Sequence, residues 1–353
     1  FMEASGAADS VAQWIVRRLG ARHAVLAVVL ACAVLTFGGI SVFVVAFGVY
    51  PMALSLFRAG DVPRRFLPGA LAFGSVTFTM TTAGSPEIQN WIPIQYLGTS
   101  PWAGWQVSLP VAAFMFLTGH WWLKRMISRA VAGGERFEAR ADDPVDEVRD
   151  LPSAATSVLP LVAVLGLSFL LHDVLRESAL IIALSGGIAT SLVLHRRFIG
   201  ALHVPVAAGA LGALIAIANT AAVVGFGGVA KLSPAFQEAV AWITSMPGNP
   251  LVGAAIAVTL IAGLAGSASG GQAIALTILA PLYLAQGVSP DALHRVVAIA
   301  SGGLDSLPHN GYVVTTIRAI CREQYSRAYP ALAAMSAIVP LAGLALAVLL
   351  FSL

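Results

Sequence analysis

The sequence predicts an all-α polytopic membrane protein, an inverted-repeat architecture with two re-entrant helical hairpins and two discontinuous helices. Three observations lead there. The 353 residues are 58% hydrophobic and 10% charged, with mean hydropathy +0.84, too apolar for a chain with a polar outer surface. Two long charge-free runs are each interrupted in the middle by small residues, and several elements recur at a nearly constant offset. The net charge of +3 and pI near 9.1 do not point to nucleic acid, because the basic residues stand between apolar runs and mark membrane sidedness. Two cysteines, Cys32 and Cys321, form neither a disulfide framework nor a metal spacing, so no metal or cofactor is expected.

Residues 5–20 (SGAADSVAQWIVRRLG) predict a short interfacial amphipathic helix, with Val11, Trp14 and Ile15 on one face and Arg17 and Arg18 at its end. From His23 to Phe57 the chain carries no formal charge; as one helix it would be about 50 Å long, against a hydrocarbon core of roughly 30 Å. Gly38, Gly39, Ile40 and Ser41 supply the break. Arginines flank both ends, which puts the ends on one side of the membrane and makes the run a hairpin with its tip at Ser41. Phe66 to Leu123 contains one charge, Glu87, inside the polar stretch TFTMTTAGSPEIQN, read as a discontinuous helix; a span over about 103–123 follows.

Residues 124–152 are the one long hydrophilic segment, expected as a solvated cytoplasmic linker between a first repeat, 1–123, and a second, 153–353. The second repeat opens with spans at about 153–171, 177–194 and 203–226, the last holding Asn219 and Thr220, read as interhelical hydrogen-bonding groups. An interfacial helix (233–245) then leads to the charge-free run Leu251–Pro290, broken at Ser267-Ala268-Ser269-Gly270-Gly271. A second discontinuous helix (292–318) is interrupted at GGLDSLPHNG, and a last span covers 330–352. His172, His195, His203 and His294 stand near predicted span ends and read as interfacial.

The repeat ties these elements together. Trp14 and Trp242 match at an offset of 228, Pro51 and Pro281 end similar apolar stretches, and Pro63 falls near Pro290. All but three of the 20 lysines and arginines (Arg176, Lys231 and Arg295) fall on one side only if the halves enter from opposite sides. The second repeat has about 75 residues of spans before its amphipathic helix and the first almost none, so an N-terminal region of about three spans is expected to precede this sequence.

The leg after each hairpin tip starts near mid-membrane with free N–H groups and the positive end of a helix dipole, a ready anion site. Gly39 and Ser41 at one tip and Ser267, Ser269, Gly270, Gly271 and Gln272 at the other are candidate substrate ligands. Thr82, Ser85, Gln89, Asn90, Ser306 and Asn310 on the broken helices add neutral hydrogen bonds. Glu87 and Asp305 are the carboxylates deep inside predicted spans, where an ionised acid costs about 2.5–3.5 kcal/mol unless it is protonated, paired or hydrated. They are candidate proton or cation carriers, with His309, four residues after Asp305, as a relay.

MEASGAADSVAQWI, GSASGGQAIALTILAP and SGGLDSLPHNGYVVTTI resemble the GntP-type gluconate permease family, part of the ion transporter superfamily of inverted-repeat carriers. The resemblance implies an inner-membrane symport permease, cation-driven and proton-coupled, for gluconate-like or short hydroxy-carboxylate anions. It carries binding roles to Ser41, Ser267, Ser269, Gly270, Gly271, Asp305 and Asn310. The first broken helix departs from that family's pattern, rich in His and Pro; here it reads TTAGSPEIQN. The partners implied are a small organic anion, a proton or sodium ion and the lipid bilayer, with a homodimer among the assemblies admitted. A sodium/proton antiporter of the same architecture is the alternative. An enzyme is disfavoured: the chain has no HExxH pair, and the glycine spacing of Gly266 and Gly270 brackets Ala268, which has no hydroxyl.

Overall fold

The computed structural model describes residues 1–353 except 142, 144–149, 176, 177, 231 and 245–247, and it is helical throughout, with no strand among the described residues. In the first half, α1 (Ala7–Leu19) carries Asp9 in its first turn and Arg17 and Arg18 in its last, charges that suit the helix dipole. Gly20 then turns the chain through 101° into α2 (Ala24–Phe37). After the expected break, α3 (Val42–Ala59) packs back on α2.

The first broken helix begins as α4 (Leu67–Ala72), widens into a π-helical turn at Phe73–Thr77, loses regular structure, and restarts through a 3₁₀ turn at Ile88–Asn90 into α5 (Ile92–Leu97). The following helix, α6 (Trp105–Ala132), runs beyond the expected end of its span at 123 and takes in the first part of the hydrophilic segment.

The second half contributes α7 (Ala154–Leu175), α8 (Ser178–His195), α9 (His203–Ala230) and α10 (Pro234–Thr244). The side chains of Asn219 and Thr220 lie outside the described residues. The second helix–break–helix unit is α11 (Pro250–Ala265) and α12 (Ala268–Ala285); Asn249 caps α11, accepting from the Leu251 N–H at 2.9 Å, with Pro250 at the first helical position. The second broken helix is α13 (Pro290–Ser301), the irregular stretch 302–310, α14 (Gly311–Val314) and a π-helical segment, Thr315–Ile320. The chain closes with α15 (Tyr325–Ala333) and α16 (Val339–Phe351).

The element order of residues 7–132 thus recurs over 234–351: amphipathic helix, helix, break, helix, broken helix, long helix. The packing recurs too. Gly74 of the first broken helix sits against the Val29 carbonyl and Cys32 of α2, and Leu304 of the second sits against Gly263 of α11. The halves interlock, since α15 packs on α4, α16 on α6, and the Thr77 hydroxyl donates to the Met335 carbonyl at 2.9 Å. Among the described residues five helices are long and apolar enough to cross a membrane, α3, α7, α8 with its 3₁₀ extension, α12, and α15 with α16, and the bent pair α1–α2 would make a sixth if it is one span; this is a multi-pass membrane protein. By contrast, α2 (14 residues) and α11 (16 residues) reach only about 21 and 24 Å, short of the hydrocarbon thickness.

The hydrophilic segment is not freely solvated over its first part. Asp143 bridges Arg58 at 2.9 Å and the buried Arg64 at 2.6 Å, and Glu135 holds Arg65 through two bonds of 2.7 and 2.8 Å. Arg140 reaches Glu323, after the second broken helix, at 2.8 Å, and Arg64 Nε lies 3.3 Å from the same carboxylate without hydrogen-bond alignment. The segment therefore clips the start of one broken helix to the end of the other. The Arg65 guanidinium holds the Glu135 carboxyl below the usual carboxylate range. Burial pushes the Asp143 carboxyl up, but the Arg140 N–H and the Arg64 and Arg58 guanidiniums outweigh it and hold it low.

Candidate functional site

At the first tip the end of α2 is closed by backbone bonds: Gly39 N–H to Thr36 O at 2.9 Å and Ile40 N–H to Leu35 O at 3.1 Å. Gly39 has φ +88°, and a Cβ there would lie 3.3 Å from Leu184 and 3.5 Å from Pro86, so the tip is seated against the first break. Ser41 is exposed and its hydroxyl does not cap α3, which leaves that helix start without a side-chain acceptor. The second tip differs. Ser267 Oγ accepts from the Gly270 N–H at 3.2 Å, and Gly271 is packed on the backbone of Ala262, where a Cβ would fall 2.7 Å from the amide nitrogen. Gly270 is buried, and Ser269 is half-buried.

In the first break several threonines are already satisfied. Thr82 turns its hydroxyl onto the Phe78 carbonyl, and Thr79 bonds the Gly74 and Ser75 carbonyls at 3.0 and 2.8 Å. Ser85 is fully buried and accepts from the Glu87 N–H at 3.3 Å; Glu87 itself is half-buried. Asn90 donates to the Met80 carbonyl at 2.9 Å, closing the break on itself. In the second break Ser306 donates to the buried Asp305 at 3.1 Å. Asn310 caps α14, accepting from the Val313 N–H at 3.0 Å, and donates to the Gly266 carbonyl of the second tip at 2.9 Å. The exposed His309 lays its ring on Gly266, where a Cβ would come within 2.7 Å of Cδ2. Among the described residues no hydrogen bond or ion pair joins Asp305 to His309, because the unwound backbone removes the helical i, i+4 geometry.

These pieces meet in a reciprocal pattern. Each tip touches the break of its own half: Gly39 meets Pro86, and Gly266 meets His309 and Asn310. The leg leaving each tip touches the restart of the other half's broken helix. Phe43 of α3 packs edge-on against Tyr312 of α14 with ring centroids 5.5 Å apart, and Gln272 of α12 donates to the Gln89 carbonyl at 3.0 Å. The breaks also meet directly, since Gly302 stands where a Cβ would lie 3.3 Å from Met80 and 3.5 Å from Thr81. Gln89 and Gln272 are buried and each keeps an amide oxygen without a partner among the described residues. Unpaired acceptors on two residues in contact suit a ligand that brings hydroxyl donors or a cation.

Three buried basic residues change the sequence reading. Arg295, expected outside the membrane, is fully buried; His294, read as interfacial, is fully buried as well, its Nδ1 2.7 Å from Thr99 Oγ1. His195 is also buried rather than interfacial. Arg295 donates from NH1 to Thr81 O and Asn90 Oδ1 at 2.6 Å each, from NH2 to Pro101 O at 3.2 Å and Ala103 O at 2.9 Å, and from Nε to Ala103 O at 3.0 Å. All ten residues 292–301 of α13 are buried, so no polar face marked this arginine in the sequence. The usable signal is the polar, helix-unfriendly TFTMTT stretch, whose carbonyls need donors from elsewhere.

Two cavities lie away from the breaks. One, of about 780 Å³, is bounded by α1, the end of α3 and residues 151–154; another, of about 370 Å³, lies beside the ion-paired segment and is lined by Arg64, Arg65, Arg136, Arg140 and Arg327 with three glutamates. The second is largely neutralised by the ion pairs described above.

The chain is 34% identical over 359 residues to the uncharacterized transporter YxjC of Bacillus subtilis (strain 168), an overlap covering 90% of this chain and 76% of that protein. This chain belongs to the same family of transporters. No protein-family model matches it. Membership sets the class of activity, transport across a membrane.

Proposed function

We propose that the protein is a secondary active transporter, a proton-coupled symporter for gluconate-like or short hydroxy-carboxylate anions across the inner membrane, with residues 124–152 on the cytoplasmic side. The observation that carries this reading is the reciprocal pair of contacts between the leg leaving each tip and the restart of the other half, Phe43 against Tyr312 and Gln272 on the Gln89 carbonyl, the second with unpaired amide oxygens on both glutamines. Free N–H groups at the α3 start attract a carboxylate, and the amide oxygens accept from its hydroxyls. The shortness of α2 and α11 supports hairpins that turn within the bilayer, entering from opposite sides.

Gly39, Ser41, Ser267, Ser269, Gly270 and Gly271 shape the tips; Ser85, Gln89, Asn90, Gln272, Ser306 and Asn310 supply hydrogen bonds; Glu87, Asp305 and His309 carry the coupling proton. Thr82 contributes its backbone, since its hydroxyl is already engaged. Uptake of a panel of labelled hydroxy acids into proteoliposomes, with imposed pH or sodium gradients, tests the proposal. Accumulation driven by an inside-alkaline gradient supports it. Sodium-driven proton movement with no uptake of any organic acid would overturn it in favour of the antiporter.

A further inference from the structure

Arg295 belongs to α13 in the second half, yet every side-chain bond it makes goes to the first. Its NH1 group alone spans the first break, holding the Thr81 carbonyl on one side and the Asn90 amide oxygen on the other. A guanidinium has five N–H donors, and the five bonds use all of them. It therefore has no donor left for a bound anion. Its acceptors diverge, two around the break and the others in the turn before α6, an arrangement that a planar fork meets and a lysine ammonium, with three donors on one atom, does not.

We propose that Arg295 is a positioning residue that sets the first break: by bridging Thr81 and Asn90 it fixes residues 82–89 against Gly39 and Gln272, and acts on the site through them. The segment it holds carries Ser85, Glu87 and Gln89. Without the bridge, the Thr81 carbonyl and Asn90 would lose a shared partner, and the break would open locally while the second break, held by Asn310, stays closed. The proposal rests on the transport reading only for its consequence in uptake.

The test uses the full-length protein in membranes, with Cys32 and Cys321 replaced by alanine and one reporter thiol introduced, Ser85→Cys in the first break or Ser306→Cys in the second. Arg295→Gln is expected to raise maleimide labelling at position 85 about tenfold and leave position 306 unchanged, because local opening is read separately at each segment. Arg295→Lys should give a smaller rise at 85, and Asn90→Ala, which leaves the arginine in place, a rise there as well. If Arg295→Gln does not fold, the other two variants decide. Equal rises at both positions, or no rise at 85 in Arg295→Lys and Asn90→Ala, would overturn the proposal. The labelling contrast can fail while uptake persists, whereas absent uptake in the unsubstituted protein removes the transport reading and leaves the labelling result standing.

Discussion

The two broken helices solve one problem in different ways. In the first, Thr81 and Asn90 are joined by a cation from the opposite half, and the turn before α6 shares the same guanidinium. In the second, the partners are local: Asn310 caps its own restart and reaches the neighbouring tip, while Tyr325 donates to the Pro308 carbonyl at 2.6 Å and Tyr329 to the Ser306 carbonyl at 3.3 Å. An unwound segment inside an apolar interior must find donors somewhere. A local solution lets a break form with its own neighbourhood, whereas a distant one makes the first break depend on the docking of the two halves.

That contrast is broken most forcefully at Arg295. Arg295→Met removes five donors from a buried site and leaves carbonyls unpaired, so we expect a loss of about 3–5 kcal/mol, read by denaturant unfolding in detergent. A loss below about 1 kcal/mol would mean that the bonds contribute little to docking the halves. The next effect is at Asp143, which bridges Arg58 and the buried Arg64. Asp143→Ala should cost about 2 kcal/mol, less than a fully broken buried pair because Glu323 stays beside Arg64.

The same clip has a defined pH response. Glu135 and Asp143 are held below the usual carboxylate range, so their contribution is complete above that range and is lost only as pH falls through their lowered values. Relative to its intrinsic rate at each pH, hydrogen exchange of the Arg140 amide, which donates to Asp143 at 3.0 Å, should stay slow down to about pH 4 and accelerate below it. Acceleration already between about pH 5 and 6 would contradict the ion-pair account.

Smaller still is the second break's own cap. Asn310→Ala should destabilise by about 1 kcal/mol, typical of a lost helix cap, and raise labelling at position 306 but not at 85, the mirror image of the arginine result. Ser41→Ala closes the series: its hydroxyl caps nothing, so stability should change by less than about 0.5 kcal/mol. Uptake should nonetheless fall if the uncapped α3 start binds the substrate carboxylate, and unchanged uptake would remove Ser41 from the site.

Much of this arrangement was legible in the residues, for reasons that also mark the limits. Charge-free runs with central small residues marked the first break at Gly38–Ser41, because chain length against bilayer thickness is a local constraint, but displaced the second, expected at residues 267–271: the chain breaks at Gly266–Ser267, and Ala268–Gly271 form the first turn of α12, capped by Ser267. The irregular stretches around Glu87 and Asp305 followed from clusters that disfavour helix. What sequence could not supply was partnership across halves. Arg295 looked like a sidedness marker because charge counting assigns a basic residue to the nearest loop, and only the fold reveals four acceptors, taking five bonds, inside. The same limit hid the docked acidic residues of the hydrophilic segment. Composition describes that stretch as solvated, but Arg64 and Glu323, 259 positions apart, turn it into a clip. Arg176 and Lys231, the other two residues assigned to the far side, lie outside the described residues.

The crossing itself can be probed with a pair of cysteines, Phe43→Cys and Tyr312→Cys, in the full-length protein in native membranes, treated with a short bifunctional maleimide. With ring centroids 5.5 Å apart in the native residues, we expect intramolecular cross-linking of this pair and loss of uptake once linked. Absence of cross-linking, with both single thiols labelled normally, would mean that the α3 start and the second restart do not meet, and the convergent site would fall with that contact.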